Sequence, residues 1–258
     1  MPLISVNERR VHYEMHSSQG KGSIREGQTI LFLHGGDSCL NIYAHQLKFF
    51  ARKYTGVAVD LPGFGRSEGP PIYEMGHFRE FIRDFVGAMK LPPFVFCGHS
   101  VGGSIALEYA LHHQEKLRAL ILVGSGARWG FYTREALELW RSNPQRALDE
   151  ERKILFSSKT PPQTVERVIR ETMSTDPWAE LGVTEACNSF DIVDQLDRIR
   201  LPVLILCGEE EPWLDESRQI KSRIPHAQME IIPDAGHMVM AEQTDKFNTV
   251  ISRFLDSL

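Results

Sequence analysis

The sequence predicts an α/β protein: a mainly parallel eight-stranded sheet, helices on both of its faces, and a helical insertion. Three observations lead there. Short apolar, β-branched runs alternate along the chain with amphipathic stretches of helical period. Most of those runs end at Gly, Asp or Pro, residues that turn a strand into a loop. Between residues 128 and 195 the alternation stops, and only amphipathic segments follow one another. A chain of 258 residues accommodates one large domain with a sizeable insertion, so two independent halves are not required.

In chain order, the runs at 5–6 and 10–15 flank Asn7-Glu8 and predict an N-terminal hairpin. A polar, Gly-rich loop follows at 17–28. Strands are then expected at 29–33, 56–59, 94–97, 119–123, 203–207 and 229–232. Helical patterns at about 41–52, 73–89, 101–112, 215–223 and 241–256 separate them. The insertion reads as four amphipathic stretches, 134–142, 143–156, 163–172 and 178–187, punctuated by Pro144, Pro161-Pro162 and Pro177. The expected division is a core of residues 1–127 and 196–258, with 128–195 as a helical lid.

Composition narrows the function classes. The hydrophobic fraction of 42% is ordinary for a globular protein, and a chain of this size buries enough surface to need no disulfide or structural metal. Cys97 and Cys207 fall inside apolar runs and read as buried thiols; none of the four cysteines has metal-type spacing. The net charge is −5 with no basic block, which disfavours nucleic acid as a partner. Charges among the first ten residues and the lack of an 18-residue apolar run point away from a signal peptide or membrane span. A soluble, cytoplasmic protein is expected, and a homo-oligomer stays open.

The chemistry concentrates in three loops. Gly98-His99-Ser100-Val101-Gly102 joins the run 94–97 to a helical pattern, a Gly-x-Ser-x-Gly turn between strand and helix. A serine held on so sharp a turn needs glycine neighbours, because side chains at 98 or 102 would strike the adjoining backbone. The turn also aims a helix N-terminus at the reaction centre, where free N–H groups favour an oxyanion. His34-Gly35-Gly36 follows the strand at 29–33 and can present a second backbone donor, so Gly36 and Val101 are the expected oxyanion amides. His237 follows the last strand within Asp234-Ala235-Gly236-His237, on the sheet edge where ligands bind in open α/β folds. That position singles it out as the base among ten histidines.

Taken together, these loops, the segment Asp60-Leu61-Pro62-Gly63-Phe64-Gly65-Arg66-Ser67 and the terminal Gly236-His237 stand in an order that resembles the α/β-hydrolase fold along the whole chain. The resemblance implies a Ser100–His237–acid triad beneath a helical cap. It leaves the substrate undetermined, because the fold hosts many chemistries; Ser100 argues against the dehalogenases and epoxide hydrolases, which use an Asp nucleophile. The family's acid usually stands in a Gly-x-x-Asp pattern after the strand before the last. Here that stretch reads Gly208-Glu209-Glu210-Glu211, which makes Glu211 the expected acid and Asp215 the alternative.

The expected activity is therefore cofactor-free hydrolysis of a small carboxylic ester, a small-molecule acyl substrate, through an acyl-enzyme. Trp129, Phe131, Tyr132, Trp140 and Trp178 are the candidate pocket lining from the insertion. Carbon–carbon bond hydrolysis of a ketonic ring-cleavage product is the runner-up and calls for arginines such as Arg128, Arg134 or Arg141 facing the pocket. A receptor-like ligand binder with little turnover is the reading from another class. No dinucleotide fingerprint, phosphate loop or calcium-loop spacing is present in the sequence.

Overall fold

The computed structural model describes residues 2–17, 28–129, 133–173 and 175–258; nearly all of the polar loop expected at 17–28 lies outside them. Eight strands form one sheet in the order β1-β2-β4-β3-β5-β6-β7-β8. They are β1 (Leu3–Val6), β2 (Arg9–His16), β3 (Thr29–Leu33), β4 (Thr55–Val59), β5 (Phe94–His99), β6 (Leu117–Val123), β7 (Val203–Gly208) and β8 (Gln228–Ile232). The hairpin β1/β2 and the pair β2/β4 are antiparallel, and every other pairing is parallel.

Helices cover both faces, which explains why β3, β4, β5 and β7 are buried at every position and mostly apolar rather than alternating. Successive residues of β3 still divide between the faces: Leu31 and Leu33 join one core, Ile30 and Phe32 the other. The first core is completed by α2 (Met75–Met89), α3 (Val101–His113) and α8 (Leu214–Arg223), the second by α1 (Ala44–Phe50) and α10 (Thr244–Leu255). Each of these large side chains contributes roughly 1.5–3 kcal/mol through burial.

Four helices lie between β6 and β7: α4 (Arg134–Ser142), α5 (Pro144–Glu151), α6 (Pro162–Thr172) and α7 (Pro177–Asn188). The prolines that punctuate this stretch are the first residues of α5, α6 and α7. Proline suits that position because its fixed φ is helical and its missing N–H would have no partner there. Thr133, Asn143 and Asp176 cap α4, α5 and α7 through their side-chain oxygens. The amphipathic stretch 143–156 is therefore one helix plus a 3-10 turn at Arg152–Ile154. Trp140, Ala147, Leu148 and Leu181 form a small core of their own among these helices. The short α9 (Val239–Glu242) completes the set.

Because the central strands are parallel, the loops after β3, β5, β7 and β8 all emerge at one edge of the sheet. Sequence positions as far apart as Gly36 and His237 converge there.

Candidate active site

Ser100 sits between β5 and α3 with φ 54° and ψ −124°, a conformation costing a side-chain-bearing residue on the order of 1–3 kcal/mol. The turn is closed by its amide, which donates to Val123 O at 2.8 Å. The reason for the flanking glycines is visible: a Cβ at Gly98 would lie 2.3 Å from Gly102 O, and one at Gly102 would lie 2.5 Å from His34 O.

His237 and Glu211 come together from different loops. The imidazole Nδ1–H donates to the Glu211 carboxylate, 2.8 and 2.9 Å from its two oxygens, and both residues are buried. Glu211 also accepts from the Trp213 amide at 3.2 Å, while the Trp213 ring stands edge-on to His237 at 4.7 Å. The His237 amide donates to Leu155 O at 2.8 Å. Asp215 is elsewhere, 87% exposed and paired with Arg218. The three consecutive glutamates thus serve three different partners. Glu210 accepts from Ser157 Oγ and the Ser158 amide at 2.8 and 2.7 Å, and Glu209 stays at the surface near Lys159.

The loop after β3 is held by His34, whose Nε2 accepts from the Leu61 amide at 3.0 Å and whose Nδ1–H donates to Gly35 O at 2.7 Å. Burial pushes its pKa down, so the ring is neutral and its tautomer set. Neither the Gly36 nor the Val101 amide donates to another group among the described residues.

Ser100, His237, Gly36 and Val101 line one narrow cavity of about 30 Å³. Of the expected aromatic lining, Trp129 is there, anchored by its indole N–H to Ser104 Oγ at 2.8 Å. Trp140 is not, because it is buried among Ala147, Leu148 and Leu181, and Trp178 is 53% exposed. Phe131 and Tyr132 lie outside the described residues. Trp213, Leu155, Val183, Cys187 and Met238 also line the space.

Three carboxylic acids complete the lining: Asp37, Glu151 and Glu180. Glu180 accepts from the Asp37 amide at 2.6 Å, and Asp37 is gripped by Arg152 at 2.5 and 2.8 Å. Burial lifts all three pKa values. Asp37 rises to about 6 despite Arg152, Glu151 rises to about 7, and Glu180 is raised well above the usual range by burial, Glu151 and Asp37 together. Arg128, Arg134 and Arg141 are absent from the lining; each faces a surface carboxylate, Asp191, Glu138 and Glu185 respectively.

The sequence model described as the alpha/beta hydrolase family matches residues 30–250, an interval that holds every loop just described. The chain belongs to the alpha/beta hydrolase family. It is 23% identical to 3-oxoadipate enol-lactonase 2 of Acinetobacter baylyi, over 86% of each chain. It is 22% identical to a 2-hydroxy-6-oxo-6-phenylhexa-2,4-dienoate hydrolase of Burkholderia cepacia, over 98% of this chain and 95% of that one. A thermophilic esterase from Thermogutta terrifontis superposes with a TM-score of 0.85 at 21% identity, covering 99% and 98% of the two chains; at that identity the likeness concerns the fold.

Sequence reasoning about this alpha/beta hydrolase passed over several residues that build its site. Gly124 is the clearest: it has φ +52°, and a Cβ there would sit 2.5 Å from Glu211 Oε2 and 3.0 Å from His237 Nδ1. A glycine closing β6 where no carboxylate follows was the available signal. Glu151, Glu180 and Trp213 offered none, being scattered polar or aromatic residues of helices and loops. Among the described residues no group of three or more His, Cys, Asp or Glu is placed to hold a metal ion, and no helix is long and apolar enough to cross a membrane.

Proposed function

We propose that the protein is a cofactor-free serine hydrolase of small carboxylic esters, with Ser100 as nucleophile, His237 as general base and Glu211 as the acid that orients it. The observation that carries the reading is the meeting of Ser100 and His237 in one cavity, with the imidazole Nδ1–H committed to Glu211. That hydrogen bond puts the basic lone pair on Nε2, where it can take the Ser100 proton as Oγ attacks the carbonyl. The oxyanion then rests on the Gly36 and Val101 amides, each such donor being worth about 2.7–4 kcal/mol in the barrier. His237 returns the proton to the leaving alcohol, and water repeats the cycle on the acyl-enzyme. Residues 128–195 serve as the lid that excludes bulk water and shapes the cavity, chiefly through Trp129, Leu155, Val183 and Cys187.

The esterase and lactonase named above favour ester chemistry by analogy. The Burkholderia relative's name favours carbon–carbon bond hydrolysis instead, but the arginines that a carboxylate-bearing substrate calls for are engaged at the surface. The test is steady turnover of p-nitrophenyl acetate and butanoate, lost in Ser100→Ala. A stoichiometric burst without turnover would return the protein to the receptor-like class.

A further inference from the structure

The cavity that holds Ser100 and His237 is lined by acid and, among the described residues, by no lysine or arginine. Arg152, the cation beside it, is spent: its guanidinium grips Asp37 and donates to Met173 O at 2.8 Å. His237 is committed to Glu211. Neither Glu151 nor Glu180 forms an ion pair among the described residues; Arg152 acts on Glu180, and His237 on Glu151, only from beyond contact.

Three of their four carboxyl oxygens also lack a donor among the described residues. Glu180 is only 4% exposed, and its one hydrogen bond among the described residues runs from the Asp37 amide to Oε2. Its Oε1 lies against the Gly36 backbone, 2.2 Å from where a Cβ would stand. The Glu151 carboxyl accepts no hydrogen bond among the described residues. Glu180, withdrawn from water and close enough to Glu151 for that carboxyl to raise its pKa, carries a desolvation cost that an incoming cation relieves.

Resting on the hydrolase reading above, we infer that the cavity selects esters carrying an ammonium or quaternary ammonium group, held by Glu151 and Glu180 while Ser100 attacks the carbonyl. The acidic lining of a reaction cavity decides its substrate charge as surely as the nucleophile decides its chemistry. Anionic substrates are disfavoured by the same carboxyls. The groups facing Glu151 are His237, Asp37 and Glu180, and those facing Glu180 are Glu151, Asp37 and Arg152. Ionisation of Glu151 strengthens the hold on a cation, so the preference grows as pH rises through about 7.

Two substrate pairs of matched shape test this, one for each side of the ester. They are p-nitrophenyl 3-aminopropanoate against p-nitrophenyl butanoate, and acetylcholine against 3,3-dimethylbutyl acetate. Each rate is divided by that ester's uncatalysed hydrolysis rate. In at least one pair the cationic ester is expected to show a kcat/KM about tenfold or more above its neutral partner. Glu151→Gln and Glu180→Gln are each expected to cut that ratio about tenfold, and a thermal melt checks that they fold. A ratio at or below one in both wild-type pairs, or one that neither variant lowers, overturns the cation assignment while Ser100-dependent turnover of the neutral ester leaves the hydrolase standing. Absence of Ser100-dependent turnover of every ester overturns both.

Discussion

His99 donates its Nε2–H to the backbone carbonyl of His237 at 3.0 Å, and the two imidazole rings lie 4.4 Å apart. The residue that precedes Ser100 therefore pins the loop of His237, the proposed base. Burial, reinforced by His237 and His34, depresses the His99 pKa, so it stays neutral beside the His237 ring. Its Nδ1 is buried without a partner. His99→Ala is expected to lower kcat by about 10- to 100-fold with little change in KM, as for a positioning residue acting only through His237. Steady-state kinetics on p-nitrophenyl butanoate checks the split; an equal rise in KM would place His99 in substrate binding instead.

Glu211→Gln should cost on the order of 10³–10⁴ in kcat, because an amide no longer enforces the productive imidazole tautomer. Glu211→Asp shortens the reach by one methylene and is expected to keep measurable activity. Asp215→Asn, at an exposed site paired with Arg218, should match the wild type. Loss of activity in the Asp215 variant would move the acid there.

Gly124→Ala tests the packing behind that pair. The added Cβ meets Glu211 Oε2 at 2.5 Å on a backbone of φ +52°, so the Glu211–His237 hydrogen bond must shift. A loss of about 1–3 kcal/mol in stability is expected, together with a fall in kcat. Chemical denaturation and kinetics on the same sample read both.

The grip of Arg152 on Asp37 joins the 3-10 turn after α5 to the loop that carries Gly36. Asp37 is 6% exposed at its side chain and Arg152 19%. Arg152→Met leaves a buried carboxylate alone and should destabilise by about 2–4 kcal/mol, somewhat below the range for fully buried pairs. Pairing it with Asp37→Asn is expected to recover part of that loss. An additive double variant would show that the two residues are not coupled.

Stability should fall with pH across the acidic cluster. The folded pKa of Glu151, about 7, and that of Glu180, higher than usual, exceed the unfolded value near 4.5. The folded state thus binds more protons between those limits, and stability declines as pH rises from about 4.5 through about 7. Glu151→Gln removes part of that slope. Its Tm, relative to the wild type, is expected to be higher at about pH 8 than at about pH 5, and a constant offset would contradict the burial of an ionising Glu151.

Much of the site was legible as loops at the ends of apolar runs, since strand-turn-helix chemistry is local. The Gly98 to Gly102 turn, the glycines beside His34 and the histidine after β8 each announce themselves within about six residues. Glu211 was legible only by its place after β7, and Asp215 stayed in contention until the fold sent one side chain to His237 and the other to solvent. The tryptophans show the opposite limit. Trp129, Trp140 and Trp178 look alike in sequence, yet one meets the cavity, one fills a small core and one faces water, because helix packing sets their directions.

By itself, then, the sequence determined the sheet and the serine turn, which rest on short-range backbone rules and apolar period, and by its resemblance the family. Only the tertiary structure decided which residues share the reaction cavity. Glu151 and Glu180 come from separate helices of the insertion and Asp37 from a loop more than a hundred positions earlier. Their carboxyls meet through space in one pocket, and no local pattern records that convergence.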